Sequence, residues 1–85
     1  MTVDNTASEA NVALVLDLRG LPCPLPVVRI STAIKELEIG QVIEGTATDP
    51  GVMIDIPAWA KSTGNELLIL DERDDRFLFR VRRIK

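Results

Sequence analysis

Short runs of apolar residues and two changes of period divide the chain into strands and helices. Residues 13–18 are a short, mostly apolar run bounded by Arg19 and Gly20, which predicts a first strand. After Pro24 the apolar positions are three or four residues apart, which predicts one face of a helix made of Val27, Ile30, Ile34 and Leu37. Gly40 fits the glycine position that ends such a helix, and residues 41–48 alternate as a second strand does.

A second helix is predicted from Asp49 to Gly64, but a proline interrupts its pattern. Asp49 is a favourable N-cap residue, and Pro50 is favourable at the first helical position. Pro57 removes one backbone hydrogen bond from the helix interior. Either the helix kinks at Pro57, or a short turn precedes a second helical piece that begins there with Asp55 as its cap.

The last part of the chain predicts two strands, residues 66–70 and 76–84, joined by an acidic turn. In the final strand Phe77, Phe79 and Val81 alternate with polar residues, so we expect them to face the core and the arginines to face water. The carboxylates of residues 71–75 could in principle offer oxygen ligands, but a solvated hairpin tip is the favoured interpretation, and no metal site is predicted.

The predicted order is β-α-β-α-β-β, which places the chain in the α/β class. Two helices on one face of a four-stranded sheet make a two-layer sandwich. The first two strands are expected to be parallel through a right-handed crossover, and the last two to form an antiparallel hairpin, so the sheet is mixed. Residues 13–85 are predicted to form a single domain, and the polar residues 1–12 a disordered tail.

Composition excludes several kinds of site and places the chain in the cytoplasm. The chain of 85 residues has no histidine and one cysteine. It therefore has no internal disulfide, no zinc site of the usual Cys/His type and no Cys-His dyad. No run of about eighteen apolar residues suggests a membrane span, and the N-terminus has no pattern of a secretory signal.

Charge is distributed unevenly and leaves one alternative function open. The net charge is −3, yet the last ten residues carry five basic side chains and no acidic ones. Such a basic edge could bind nucleic acid or an acidic partner, which would make the protein a nucleic-acid-binding or regulatory module. The other interpretation is that these are the exposed side chains of a terminal strand.

The only cysteine, Cys23, lies among three prolines at the junction of the first strand and the first helix. Pro24 at the first helical position would set Cys23 at the N-cap, and Pro26 would occupy the third position, where its missing N–H costs little. Leu25 is then the donor that could point at the sulfur. A helix N-terminus favours an anion, so we expect a thiol that ionises easily. The alternative is a small, buried core cysteine.

These residues resemble a known family. The stretch from residue 16 to residue 21, followed by Cys23-Pro24-Leu25-Pro26, is similar to the Cys-Pro-x-Pro signature of the TusA family, also called SirA-like or YedF-like proteins. Gly20 belongs to that stretch, and Asp49-Pro50 and Asp55-Ile56-Pro57 resemble the second pattern of the family. The resemblance covers residues 14–84.

The resemblance implies a cytoplasmic sulfur carrier with the two-layer fold derived above. Cys23 would accept sulfane sulfur from a cysteine desulfurase or a rhodanese and hold it as a persulfide, with no other cofactor. It would pass the sulfur to a cysteine of another protein, in tRNA thiolation, molybdenum-cofactor assembly or sulfur oxidation. In the last case the acceptors include DsrE-type and heterodisulfide-reductase-like proteins.

The chain also departs from many members of that family. Ala60 stands where they have a second cysteine, and Asn65 stands where they have a histidine. With no general base evident in the sequence, the protein is expected to be a carrier that a partner completes rather than a self-contained enzyme. Arg19 and Arg29 lie near the helix start in sequence and could assist a sulfur anion or a partner.

Overall fold

The computed structural model describes residues 12–85, arranged as four strands and two helices. The predicted tail, residues 1–12, lies outside the described residues except for Val12, which is the first residue of a strand. The elements are β1 (Val12–Leu18), α1 (Leu25–Ala33) with a 3-10 turn (Ile34–Glu36), β2 (Val42–Ala47), α2 (Val52–Thr63), β3 (Glu66–Arg73) and β4 (Arg76–Arg82).

The sheet has the order β1-β2-β4-β3 and is mixed, as predicted. β1 and β2 are parallel, with Leu18 opposite Ala47, whereas β2–β4 and β3–β4 are antiparallel. Because β1 and β2 run in the same direction, both end at the same edge of the sheet, and the segment that leads into each helix starts there. This edge brings together residues that are distant in sequence.

The core lies between the helices and one face of the sheet. Phe77, Phe79 and Val81 are buried, which confirms the predicted inward face of β4. Gly45 of β2 lies directly under the ring of Phe79. The other core residues are apolar side chains of every remaining element but β3, among them Leu18, Ile30, Ile34, Leu37, Ile43, Ala47, Val52 and Ile56.

α1 is shorter than the sequence predicted. Its regular turns end at Ala33, although Ile34 and Leu37 are still buried as the periodicity required. Gly40 does not end this helix; it lies in the turn before β2 with a φ of 95° and donates its N–H to the carbonyl of Arg83 at 2.7 Å. Its left-handed conformation belongs to a turn that ties the C-terminal segment to the start of β2.

α2 is a single helix that continues through Pro57, so the predicted second helical piece that begins there is wrong. The helix starts at Val52 with Gly51 as its N-cap, and the carboxylate of Asp49 accepts the N–H of Gly51 at 3.0 Å. Pro57 deprives only the carbonyl of Met53 of a partner, and Met53 lies in the exposed first turn, where water can replace that bond. Gly64 ends the helix in the left-handed conformation, as predicted.

The hairpin of β3 and β4 is tighter than expected. β3 continues to Arg73, so the connection is only the two-residue turn of Asp74 and Asp75. Within the strand, Arg73 donates to Asp71 at 2.8 Å. Most of the acidic segment is therefore strand, and its charges are partly paired along it.

The arginines of the C-terminal strand lie on the face of the sheet that the helices leave open. Arg80 forms a salt bridge with Glu44 at 2.9 Å, and both side chains are only 19% exposed. Arg82 pairs with Glu66 at 3.1 Å. These arginines lie on the outer face as expected, although Arg80 is partly covered, and the charges of Arg80 and Arg82 are paired within the sheet.

We expect the substitution Arg80→Met to reduce the free energy of unfolding by about 1–2 kcal/mol, because it leaves the partly buried carboxylate of Glu44 without its partner. Urea denaturation measures this loss. The double variant Arg80→Met/Glu44→Met is expected to recover most of it, since both polar groups are then gone. Equal stabilities of the single and double variants would contradict the assigned role of the pair.

Among residues 12–85, neither helix is both long enough and apolar enough to cross a membrane.

Candidate functional site

Cys23 lies at the sheet edge where β1 and β2 end. After β1 the chain turns at Gly20, whose φ is 82°. The N–H of Gly20 donates to the hydroxyl of Thr48 at 2.9 Å, and the N–H of Leu21 donates to the carbonyl of Leu18 at 3.3 Å. These bonds hold the loop against the segment that follows β2 and bring Cys23 to the start of α2.

The start of α1 is shifted by one residue from its predicted place. Pro24 is the N-cap, so Cys23 precedes it, and Pro26 takes the second helical position, where it is buried. The N–H of Leu25 donates to the carbonyl of Pro22 at 2.9 Å and not to the sulfur. The prolines do shape this helix start, but the predicted donor to Cys23 is wrong.

The nearest partners of the sulfur come from α2 and from the residues before it. The thiol of Cys23 is hydrogen-bonded to the carboxylate of Asp55, 32 positions later in the chain. A Cβ atom at Gly51 would lie 3.2 Å from the sulfur and 2.8 Å from Oδ2 of Asp49. The φ of Gly51 is −59°, which any residue adopts, so the close approach of Cys23 is what favours glycine there.

The two carboxylates make Cys23 a weaker acid than an ordinary thiol. The hydrogen bond to Asp55, followed by partial desolvation and by the charges of Asp55 and Asp49, raises the pKa of Cys23 from 9.0 to about 11. A nearby negative charge disfavours the thiolate. The expectation of an easily ionised thiol is therefore wrong for this structure, in which Cys23 is held protonated at neutral pH.

We expect the ultraviolet absorbance of the thiolate to appear with a midpoint near the pKa of about 11 that Asp55 imposes on Cys23. The chain has one cysteine and no tyrosine, so no phenolate absorbs in the same pH range. The measurement is a pH titration of the difference spectrum between the wild-type protein and Cys23→Ala. A midpoint below the ordinary thiol range would contradict the assigned contact with Asp55.

The structure does not bring the two candidate arginines to the sulfur. Arg19 is bound to Asp17 by two bonds of 2.8 Å, and this pairing lowers the pKa of Asp17 to about 2. Arg29 lines a groove between β1 and α1. The charges that act on Cys23 are those of Asp55 and Asp49.

The remaining motif residues build the start of α2. The carbonyl of Pro50 accepts the N–H of Met53 at 3.1 Å, and the carboxylate of Asp49 accepts the N–H of Gly51. The predicted places of Asp49 at the N-cap and Pro50 at the first helical position are wrong by two residues, because the helix starts at Val52. Asp55 does not cap a helical piece at Pro57. Its carboxylate is turned to Cys23 instead.

The two positions at which the chain departs from many TusA-like sequences have structural roles. Ala60 is buried in the core. The side chain of Asn65 accepts the N–H of Ile84 at 2.9 Å and donates to the hydroxyl of Thr63 at 3.0 Å. Asn65 thus fastens the C-terminal segment to the end of α2.

Sequence reasoning missed Gly51 and the contact between Cys23 and Asp55. Gly51 and Asp55 each lie about thirty positions after Cys23, whereas the prediction considered only the sequence neighbours of the cysteine. The available signal was the parallel pairing of the first two strands, since the ends of neighbouring parallel strands share an edge.

Comparison with known proteins assigns the chain to a family. The family model described as Sulfurtransferase TusA matches residues 14–83. The chain belongs to the TusA family. The resemblance seen in the sequence is thereby confirmed.

Several relatives carry names that refer to sulfur. The chain is 45% identical to the putative sulfur carrier protein YrkI of Bacillus subtilis, over 81% of this chain and 92% of that one. It is 43% identical to the sulfur carrier protein TusA of Allochromatium vinosum, over 80% of this chain and 90% of that one. A putative sulfur carrier protein of Aquifex aeolicus is 44% identical over 80% of this chain, but only 34% of its own length is matched.

A solved structure confirms the fold. The SirA-like protein of Desulfitobacterium hafniense superposes with a TM-score of 0.73 over 85% of this chain and 99% of that one. The two sequences are 22% identical. The two-layer arrangement is therefore shared by two chains that differ widely in sequence.

Proposed function

We propose that this protein is a sulfur carrier, which accepts sulfane sulfur on Cys23 as a persulfide and relays it to a cysteine of a partner protein. The observation that carries the proposal is the position of the only cysteine, which is partly exposed at the edge where both helices begin. Curated relatives that match over most of their length are named sulfur carrier proteins.

The proposed chemistry is an exchange between a thiol and a persulfide. Cys23 attacks the outer sulfur of the donor persulfide, a new S–S bond forms at Cys23, and the S–S bond of the donor breaks. The electron pair of that bond leaves with the donor cysteine, which takes up a proton. A thiol and a persulfide exchange places, so no external oxidant, metal or organic cofactor is needed.

The surroundings of Cys23 suit a protein partner. Leu25 at the start of α1 is 41% exposed, and Met53 and Ile54 in the first turn of α2 are 38% and 74% exposed. Apolar side chains that gather at one end of a small domain are typical of a protein-binding surface. We propose a cytoplasmic cysteine desulfurase or rhodanese as the donor class.

The proposed acceptors follow from the family. They are DsrE-type or heterodisulfide-reductase-like proteins in sulfur oxidation, or the relays that serve tRNA thiolation and molybdenum-cofactor assembly. The nucleic-acid alternative depends on five basic side chains near the C-terminus, and two of them, Arg80 and Arg82, pair with carboxylates of the same sheet, which favours the carrier.

Intact mass after incubation with a persulfide donor tests the acceptance step. We expect the wild-type protein to gain one sulfur atom, which dithiothreitol removes, and Cys23→Ala to gain none. Cys23→Ser is the matched control, since it keeps a hydrogen-bond donor beside Asp55. A sulfur gain that survives in Cys23→Ala would contradict the assignment of Cys23.

A further inference from the structure

We infer that Asp55 is a catalytic residue of sulfur transfer, which takes the proton of Cys23 while the sulfur attacks and returns it when the sulfur departs. This inference rests on the proposed function. It supplies the general base that no pattern in the sequence indicated.

The geometry provides a direct path for the proton. The carboxylate of Asp55 accepts the hydrogen bond of the Cys23 thiol, so the proton can pass directly between the two side chains. Asp55 is held on α2, where its own N–H donates to the carbonyl of Gly51 at 2.9 Å. Both partners are partly buried, and a carboxylate on a helix is positioned more firmly than one on a loop.

The contact with Asp55 makes the Cys23 thiol hard to ionise, and a general base beside the sulfur would offset this effect. Because the contact with Asp55 raises the pKa of Cys23 to about 11, the thiolate is scarce at neutral pH. A thiol becomes strongly acidic once its sulfur has begun to form a new bond, and a hydrogen-bonded carboxylate can then accept the proton. General-base assistance of this kind typically contributes about 10²–10⁴ in rate.

The proton balance closes in both directions. On acceptance, the S–H bond of Cys23 breaks as the S–S bond forms, Asp55 becomes a neutral carboxylic acid, and the donor cysteine leaves with the electron pair. On delivery, the acceptor cysteine attacks the outer sulfur of the Cys23 persulfide. The sulfur of Cys23 then leaves with the electron pair and recovers a proton from the carboxylic acid of Asp55.

The test measures displacement at sulfur with a small neutral disulfide, hydroxyethyl disulfide, whose own charge does not change with pH. The product is a mixed disulfide on Cys23, counted by intact mass. We expect the wild-type rate to be nearly flat between about pH 6 and pH 8, because the reacting form is then the protonated Cys23 hydrogen-bonded to Asp55, and Cys23 stays protonated throughout. Asp55→Asn is expected to react through the thiolate, with a rate that rises about tenfold per pH unit.

Asp49→Asn is the matched control, since it removes the second carboxylate that faces Cys23 but not the hydrogen-bond partner of the thiol. Its profile is expected to stay flat. The slope of the rate against pH distinguishes a base from a structural residue, because the loss of a purely structural role of Asp55 would not change that slope. A wild-type rate that rises tenfold per pH unit, or a flat profile in Asp55→Asn, would overturn the inference.

The carrier function of Cys23 and the general-base role of Asp55 can be refuted independently of each other. The disulfide reaction requires no sulfur donor, so Asp55 can be shown to act as the base even if Cys23 never gains sulfur from a persulfide. Sulfur gain on Cys23 together with a steep wild-type profile would retain the carrier and remove the role of Asp55. The wild-type profile alone can overturn the inference, so the test does not depend on the folding of any variant.

Discussion

Gly45→Ala is expected to destabilise the protein by about 3 kcal/mol, the largest effect on stability that the structure predicts for a single methyl group. A Cβ atom at position 45 would lie 2.4 Å from Cζ and 2.7 Å from Cε1 of Phe79. Phe79 is fully buried, so its ring cannot swing into solvent to make room. Thermal unfolding should show a midpoint lowered by roughly 15 °C.

A smaller side chain at position 79 provides the control. Phe79→Leu alone is expected to cost about 1–2 kcal/mol, and Gly45→Ala should add little to it because the ring atoms in question are absent. Strictly additive losses in the double variant, or a Gly45→Ala variant within about 0.5 kcal/mol of the wild-type protein, would contradict the packing of Gly45 against Phe79.

Gly51→Val is expected to reduce the reactivity of Cys23 by tenfold or more, the largest effect on the site short of removing the cysteine. The Cβ alone would lie 3.2 Å from the sulfur and 2.8 Å from Oδ2 of Asp49, and the branches of valine would cover the sulfur further. The backbone at position 51 is helical, so valine imposes no change in φ. Alkylation by iodoacetamide measures the rate.

Gly51→Ala is expected to reduce the reactivity of Cys23 less than Gly51→Val does. It adds only the Cβ atom, so we expect a rate between those of the wild-type protein and Gly51→Val. Circular dichroism should show α2 intact in both variants. A wild-type alkylation rate in Gly51→Val would show that the space beside the sulfur is not required.

The fold could be predicted from the sequence because each element carries its own local signal. The periodicity of α1 and the alternation of Phe77, Phe79 and Val81 predicted a helix and a strand. The order of the predicted elements then allowed few sheet topologies. The boundaries of the helices and strands were predicted less accurately. β3 continues to Arg73 because its polar end pairs with the start of β4, and a polar strand end looks like a turn in the sequence.

The site was predicted less well, because its chemistry comes from contacts between distant residues. The cysteine and its helix start were visible in one short stretch. The neighbouring groups that set its acidity, Asp55 and Asp49, come from the other side of the β1–β2 crossover. Considering only the helix N-terminus predicted an acidic thiol, whereas a carboxylate in contact with the sulfur has the larger and opposite effect.

Pro57 shows that predictions from local sequence alone are also limited for a helix. One of the two predicted outcomes, a break at Pro57, does not occur, because the missing N–H leaves only one carbonyl near the start of α2 without its partner. The packing of Val52, Ile56 and Ala60 on the sheet holds the helix together across that position. The tertiary structure therefore outweighs the local preference.

A carrier must release the sulfur that it accepts, and a single-turnover chase measures both steps. The protein is loaded with radiolabelled sulfane sulfur, separated from the donor, and mixed in turn with a reduced recipient of each proposed class, beginning with a DsrE-type protein. We predict that the label leaves Cys23 and appears on the recipient, that dithiothreitol releases it there, and that Cys23→Ala carries no label at any stage. Label that loads onto Cys23 and stays there when the recipients of every proposed class are offered would contradict the relay.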